Sequence, residues 1–525
     1  MKLRITVVWA AAFVLAACAQ AQTVYHKPQS KLQFESSDAR LAAAFNWAKQ
    51  QAMAYAFDGD PVGPWYEAAL PGREAFCMRD VSHQCLGAQA LGLSGYTHNM
   101  LRRFAENISD SKDWCSYWEI NRYNLPAPAD YRNDAEFWYD LPANFDVLDA
   151  CYRMYLWSGD LTYLNDPVFL NFYDRTVSDY VERWSLGLNQ VMKRGRWMNI
   201  RGEFNPHDKF QVSRGIPGYQ EGSSDYVVGV DLLATQIAAY RAYASIQALR
   251  GNFRGAQAYA EKAASVKDFI NSTWWNPQAR CFYSLLDQNH HLQGHAGMAP
   301  LYYRAADAGP KTQAALNDLL ATIRANPSGP VELESHYAGI LYRYGVPDVA
   351  YSQIMDLTRK GRYRQEYPEV SYSVVGAIIT GLMGISIEAP SPAQNALQRD
   401  FLRPAADTRI ALLHGVAPLI PWNYVQAVVK TLPRLTKQTA WAEIRNLPVR
   451  DNGISVRHEG LRKTTFTNQS GPALVWQATF PGSYRTLSVD GRTVNASPGR
   501  EPLDHATSWV QVPVGAGDIV TVQVR

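Results

Sequence analysis

One local pattern constrains this chain more than any other feature: an aromatic-rich helix, a glycine stop, then a second amphipathic helix. It is clearest where Leu233, Ile237, Tyr240, Ala244 and Ala248 form one stripe ending at Gly251-Asn252. Tyr259, Ala263, Val266 and Ile270 form a second stripe a few residues later, so the segment predicts an antiparallel helical hairpin. The same order recurs at Leu91 to Gly95, at Tyr155 to Gly159-Asp160 and at Leu341 to Gly345. A further helix starts from a cap at Ser36 or Ser37, with Leu41, Phe45, Ala48 and Ala52 on one stripe. The spacing is irregular, which excludes a short-period solenoid. Several such hairpins between residues 36 and 388 each hide an apolar face only by packing around a common axis. The expected fold is mainly α, a helical toroid.

From about Glu388 the pattern changes, with Pro390, Pro392, Pro404, Pro418 and Pro421 interrupting the chain. Residues 389–450 read as a linker or packing segment. Beyond Asp451 strands take over, at Ile454-Ser455-Val456, Lys463 to Thr467, Leu474-Val475-Trp476, Thr486 to Val489 and Ile519 to Val524. Asp490-Gly491 is a hairpin turn signal. Residues 451–525 therefore read as a small antiparallel β-sandwich-like domain, serving as a packing accessory or a carbohydrate-binding surface.

With 525 residues, 47% hydrophobic and 19% charged, the chain is long and apolar enough for a large core. Its start carries Lys2 and Arg4, an uncharged run from Ile5 to Ala17, and then small residues. That is the order of an export signal, expected over residues 1–21, with 22–35 as a linker. The apolar run is too short to span a bilayer. Two processing readings are open: Leu15-Ala16-Ala17-Cys18 resembles a lipoprotein box with a lipid anchor at Cys18, and Ala19-Gln20-Ala21 suits ordinary cleavage. Either places the protein outside the cytoplasm, in a periplasm or anchored to an outer membrane. Loss of Lys2 and Arg4 takes the formal net charge from +3 to +1, which recruits neither nucleic acid nor an acidic membrane. Cys77, Cys85, Cys115, Cys151 and Cys281 lack close CxxC spacing and read as buried thiols, with one disulfide from Cys77 or Cys85 to Cys115 as the alternative.

Three short runs carry the chemistry, each ahead of a helical pattern: AFCMRDVSHQ at Ala75 to Gln84, PGYQEGSSDY at Pro217 to Tyr226, and RYRQEYPEVSYS at Arg362 to Ser373. Arg79-Asp80 has two readings, a helix cap with its ion-pair partner or a clamp for vicinal sugar hydroxyls. WCSYWEINRY (Trp114 to Tyr123) and FWYDLPANFDVLDACYRMY (Phe137 to Tyr155) add aromatic residues together with Glu119, Asp140, Asn144 and Asp146. Trp118, Trp138 and Tyr139 suit stacking on a pyranose face or simple core packing equally well. His207, Asp208, His290, His291 and His295 lack ligand spacing, so no metal and no cofactor is expected. A GxSxG elbow and a glycine-rich phosphate loop are absent.

The order of these runs, an Arg-Asp at the first hairpin, a Glu ahead of a middle one and a Glu-Tyr ahead of the last, resembles the six-hairpin glycosidases, which include glucoamylases, trehalases and α-L-rhamnosidases. The resemblance covers roughly residues 36 to 388 and implies an (α/α)6 catalytic toroid acting on a carbohydrate. It also implies an exo-acting, inverting hydrolase with Glu221 as general acid and Glu366 as general base. Asp225 and Glu203 rival Glu221; Glu369 and, more distantly, Glu334 rival Glu366. Arg79, Asp80, Trp118, Trp138, Tyr139, Asp140, Asn144, Tyr219, Asp225, His336, Tyr367 and Glu369 are the implied substrate-binding set. Two other classes stay open. A polysaccharide lyase would use His83, His336-Tyr337 or Tyr372 beside an arginine, and a noncatalytic glycan-binding lipoprotein would use none of the acids.

Overall fold

The computed structural model describes residues 27–221, 225–389 and 427–525. The expected export signal, Cys18 and most of the proline-rich segment lie outside the described residues. Twelve helices build the larger part: α1 (Ala39–Ala54), α2 (Met78–Ala90), α3 (Ser94–Glu106), α4 (Pro142–Ser158), α5 (Pro167–Val177) and α6 (Val230–Leu249). They continue as α7 (Phe253–Thr273), α8 (Ala299–Tyr302), α9 (Pro310–Ala325), α10 (Val331–Arg343), α11 (Pro347–Leu357) and α12 (Pro368–Gly376), which runs on as a π-helical turn over Ala377–Leu382.

The even-numbered helices touch one another in order around a ring, and α12 closes it against α2. Their odd-numbered partners pack outside, with α1 covering α12, so the first helix completes the last hairpin. This is an (α/α)6 toroid, with one inner position filled by the single turn of α8. Burial follows the layers. Inner α6 is buried on nearly every face, whereas outer α7 buries only Ala263, Val266, Ile270 and Asn271. Each predicted glycine stop is real: Gly92, Gly159, Gly251 and Gly345 have φ of +87°, +73°, +83° and +75°, the left-handed turn that ends a helix. Pro142, Pro310, Pro347 and Pro368 start their helices at the first turn, where a missing N–H costs nothing.

The ring closes through a seam of glycines. Gly87 on α2 lies against the backbone of α12, where a Cβ would sit 2.1 Å from the Tyr372 carbonyl oxygen, and Gly376 faces Gly87 from the other side. Tyr372 also ties α12 to α1, its hydroxyl donating to the Ala52 carbonyl at 2.9 Å.

Strands appear earlier than the sequence pattern indicates. Gln33–Ser36, all but its last residue inside the segment read as a linker, is strand β1, and Ser386–Glu388 (β2), Val428–Thr431 (β3) and Trp441–Val449 (β4) precede residue 451. They are followed by β5 (Asn452–Glu459), β6 (Lys463–Ser470), β7 (Leu474–Pro481), β8 (Thr486–Val489), β9 (Arg492–Asn495), β10 (Ser497–Glu501), β11 (His505–Val514) and β12 (Ile519–Val524). One sheet has the order β1-β4-β5-β6-β12-β8-β9 and the other β2-β3-β7-β11-β10. Pairing is antiparallel except that β3 runs parallel to β7. Phe466 stacks on Trp476 between the sheets, ring centroids 5.0 Å apart. β1 pairs with β4 from Gln33–Arg445 to Ser36–Ala442, so the start of the described chain completes a sheet near its end.

The sandwich is joined to the toroid by polar contacts to the ends of inner helices. The Arg450 N–H donates to the Trp157 carbonyl at 2.6 Å, and buried His458 bridges Thr464 at 2.8 Å and the Met383 carbonyl at 3.0 Å. Cys77, Cys85, Cys115, Cys151 and Cys281 are all buried free thiols.

Gly87→Ala is expected to lower the unfolding midpoint by the equivalent of about 1–3 kcal/mol, because its methyl must displace backbone rather than a side-chain tip. Gly95→Ala, at an exposed position in α3 with open space around it, should be neutral or stabilising by about 0.4–1 kcal/mol. Denaturant melts of both variants check this.

Candidate active site

The amino-terminal ends of the inner helices open on one mouth of the toroid. Between α2, α10 and α12 lies a narrow cleft. Arg79, Asp80 and His83 face it from α2, Glu332, Ser335 and His336 from α10, and Glu369 and Ser373 from α12. Strand pairing of Ala75–Cys77 with Glu119–Asn121 and a 3.0 Å bond from the Met78 N–H to the Trp118 carbonyl fix the start of α2.

Arg79 is the hub. Its Nη1 donates to Glu221 Oε1 at 2.6 Å and its Nε lies 3.4 Å from Asp80 Oδ1. The guanidinium sits over the rings of Trp118 and Tyr219, 5.8 and 5.3 Å from their centroids, which holds a planar cation between two aromatic faces. Four carboxyl groups surround this one cation. Asp140 is wholly buried, and neither of its oxygens accepts from an N–H or a hydroxyl; its polar neighbour is the Glu221 carboxyl. Burial, then the adjacent Glu221 carboxylate, pushes its proton affinity well above the ordinary range, with Arg79 acting in the opposite direction. Glu369, in the first turn of α12, is also buried with Oε1 unpartnered. Burial first, then Asp80, raises its proton affinity well above normal, again opposed by Arg79.

Behind the cleft, Asp146 is a buried acceptor that gathers three elements. It takes His83 Nε2 at 3.2 Å, the Tyr303 hydroxyl at 3.2 Å and the Tyr219 hydroxyl. The His83 and His336 rings meet edge to face at 4.7 Å. Burial, then His83 and Arg79, holds His336 well below the usual histidine range, so its ring is neutral. Asp231, at the start of α6, accepts the Tyr219 N–H at 2.6 Å and the Leu232 N–H at 3.0 Å. The loop can wrap this carboxylate only because Gly218 and Gly229 lack side chains; a Cβ on either would sit 2.5 or 2.1 Å from Asp231 Oδ1.

Of the residues singled out in the sequence, Arg79, Asp80, Trp118, Tyr219, Glu221, His336 and Glu369 come together here. Glu366 does not line the cleft. Its side chain is exposed on the loop before α12, and its carbonyl accepts from the Tyr55 hydroxyl. The reason is the helix start: Pro368 begins α12, so Glu369 falls in the inward first turn and Glu366 in the preceding loop. Tyr139 and Asn144 are core residues bonded to each other, and Asn144 Nδ2 donates to the Trp114 carbonyl at 3.0 Å. Asp140 is fully enclosed, with the Glu221 carboxyl beside it. Trp138 lies outside the cleft near Lys209, Asp225 is exposed, and Tyr367 lies under Arg364 at the rim. Glu203 is exposed, and Glu334 is held by Arg362. Tyr372 is sealed in the ring seam and Tyr337 is buried. The sequence did not single out Glu332, Ser335, Ser373 or Tyr303. Glu332 carried one usable signal, an acid in the first turn of an inner helix, as Asp80 and Glu369 are.

No family model and no curated protein matches the sequence. Solved structures do match the fold. The α-L-rhamnosidase from Dictyoglumus thermophilum aligns with a TM-score of 0.55 at 12% identity, over 94% of this chain and 51% of that one. The GH78 family rhamnosidase of Bacillus sp. GL1 aligns at 0.51 and 12%, over 82% of this chain and 40% of that one. A sialidase aligns at 0.51 and 12%, over 82% and 38%. The chain spans about half or less of the length of these proteins. The likeness is one of fold, a helical toroid with a β domain, as the order of the motifs implied.

Burial lifts Asp231 to about 6. Between roughly pH 4 and 6 the native protein therefore holds a proton that the unfolded chain releases, and this group's contribution to stability falls as pH rises through that window, by up to about 1.4 kcal/mol per pH unit. Asp231→Asn should flatten that part of the slope when denaturant midpoints are compared at pH 4.5 and 6.5.

Proposed function

We propose that this protein is an exported glycoside hydrolase that removes single sugar units by an inverting mechanism. The observation that carries the reading is one arginine-centred cleft at the toroid mouth, with carboxyl groups arriving from separate inner helices and Asp140 and Glu369 among them raised in proton affinity. Glu221 stands ahead of α6 and Glu369 opens α12, three places apart on a six-membered ring. That arrangement suits two carboxyl groups on opposite faces of a sugar, roughly 6.5–9.5 Å apart with room for a water.

The acid is Glu221, assisted by Asp140. Burial and the adjacent Glu221 carboxylate favour the protonated form of Asp140, which keeps a proton beside Glu221 while Arg79 pairs with the Glu221 carboxylate. Glu221, the member with solvent access, delivers the proton to the leaving oxygen. Glu369 replaces Glu366 as the base and takes a proton from the attacking water. Arg79 and Asp80 grip hydroxyls of the terminal sugar, Trp118 and Tyr219 limit its face, and neutral His336 offers a donor or an acceptor. Export, with or without a lipid on Cys18, rests on the amino-terminal sequence.

A reducing-sugar screen over α- and β-linked oligosaccharides and aryl glycosides tests the activity, and NMR of the first-released anomer tests inversion. New ultraviolet absorbance without hydrolysis would instead mark a lyase. Glu221→Gln and Glu369→Gln should each lower kcat by about 10²–10⁴-fold, whereas Glu366→Gln should stay close to wild type. Glu369 must be ionised to act, so kcat/KM is lost as pH falls through its raised pKa. The acid limb should consequently lie above the ordinary glutamate range of about 4.3; a limb at the ordinary value would remove Glu369 from the role.

A further inference from the structure

Beside α12 the rim of the cleft carries an ordered aromatic platform that the reaction as described does not use. Tyr363 is 78% exposed, the most exposed large hydrophobic side chain among the described residues. A lone exposed aromatic needs no explanation, but this one is fixed in place. Its own carbonyl accepts from Arg362 Nη1 at 3.1 Å, and Arg362 also binds the Gly329 carbonyl at 3.0 Å and Asp356 at 2.7 Å. Arg364, in the left-handed region with φ of +60°, lays its guanidinium 5.2 Å from the Tyr363 centroid and 5.1 Å from that of Tyr367. That guanidinium is paired with Glu332. Glu332 lines the cleft beside Glu369, and its Oε2 is buried without a partner.

These contacts form a continuous path from the cleft to the rim: a free carboxylate oxygen in the cleft wall, the arginine that holds it, and two tyrosine rings on that arginine. We propose that Tyr363, Arg364 and Tyr367 form a subsite for the second ring of the substrate, the ring attached to the sugar in the cleft, with Glu332 Oε2 accepting a hydroxyl at the junction. The inference rests on the glycosidase reading above and adds a substrate class: glycosides whose leaving group presents a flat apolar ring face, either a pyranose or an aromatic aglycone. A platform already held by Arg362 and Arg364 costs little further ordering when it is covered.

The test uses the whole chain and the sugar identified by the screen, supplied as its methyl glycoside, a disaccharide and the 4-nitrophenyl glycoside. In Tyr363→Ala, kcat/KM for the ring-bearing substrates should fall about five- to tenfold relative to the methyl glycoside, mainly through KM, and Tyr363→Phe should restore the ratio. A loss confined to the disaccharide assigns the subsite to a pyranose, and a loss confined to the nitrophenyl glycoside assigns it to an aromatic ring. An unchanged ratio for both, with hydrolysis intact, overturns the subsite while leaving the function standing. Saturation-transfer NMR with 4-nitrophenyl glycosides reads the contact without turnover. Aryl-proton transfer that vanishes in Tyr363→Ala supports the platform even if no hydrolysis occurs, in which case only the functional reading fails; equal transfer in both proteins overturns the platform.

Discussion

The close approach of α2 and α12 is the contact on which the architecture depends. A ring of amphipathic helices has no free edge only if its last member reaches its first, and here two glycines allow backbone to meet backbone. The same contact sets the chemistry. It brings Asp80 and Glu369, in the first turns of those two helices, to one wall of the cleft, on helices that the seam locks together. A looser ring would separate them.

The site built on that frame places one guanidinium among more carboxyl groups than it can neutralise. Arg79 meets Glu221 and Asp80 directly, and its field reaches Asp140 and Glu369. Burial together with the neighbouring negative charge favours the protonated forms of Asp140 and Glu369. The fold thereby raises the proton affinity of Asp140 and Glu369 without any special residue type. Asp146, which collects His83, Tyr219 and Tyr303, and Asp231, which holds the Tyr219 backbone, keep the aromatic wall of that pocket in register.

Much of this was legible in the sequence because it is local. Glycine stops at Gly92, Gly159, Gly251 and Gly345 mark hairpins through backbone conformation alone, and Asp490-Gly491 marks a strand turn in the same way. The three acid-bearing runs were visible because each precedes a helix. What escaped was decided by contacts distant in sequence or by a one-turn shift. β1 has too few residues to show a pattern without β4 beside it. Tyr139 and Asn144 look like loop residues until the core closes over them. Glu369 lines the cleft and Glu366 does not because of where α12 begins, and Pro368 was the available signal.

The sheet that joins β1 to β4 also bears on synthesis. A chain emerging from the ribosome presents β1 first, yet its hydrogen-bonding partner leaves the exit tunnel only after every helix of the toroid has been made. Until then that strand edge is bare, and α1 likewise waits for α12. Both closures are late, long-range events, so the nascent protein must remain incompletely folded for most of its translation, a state compatible with being threaded through a membrane before it folds.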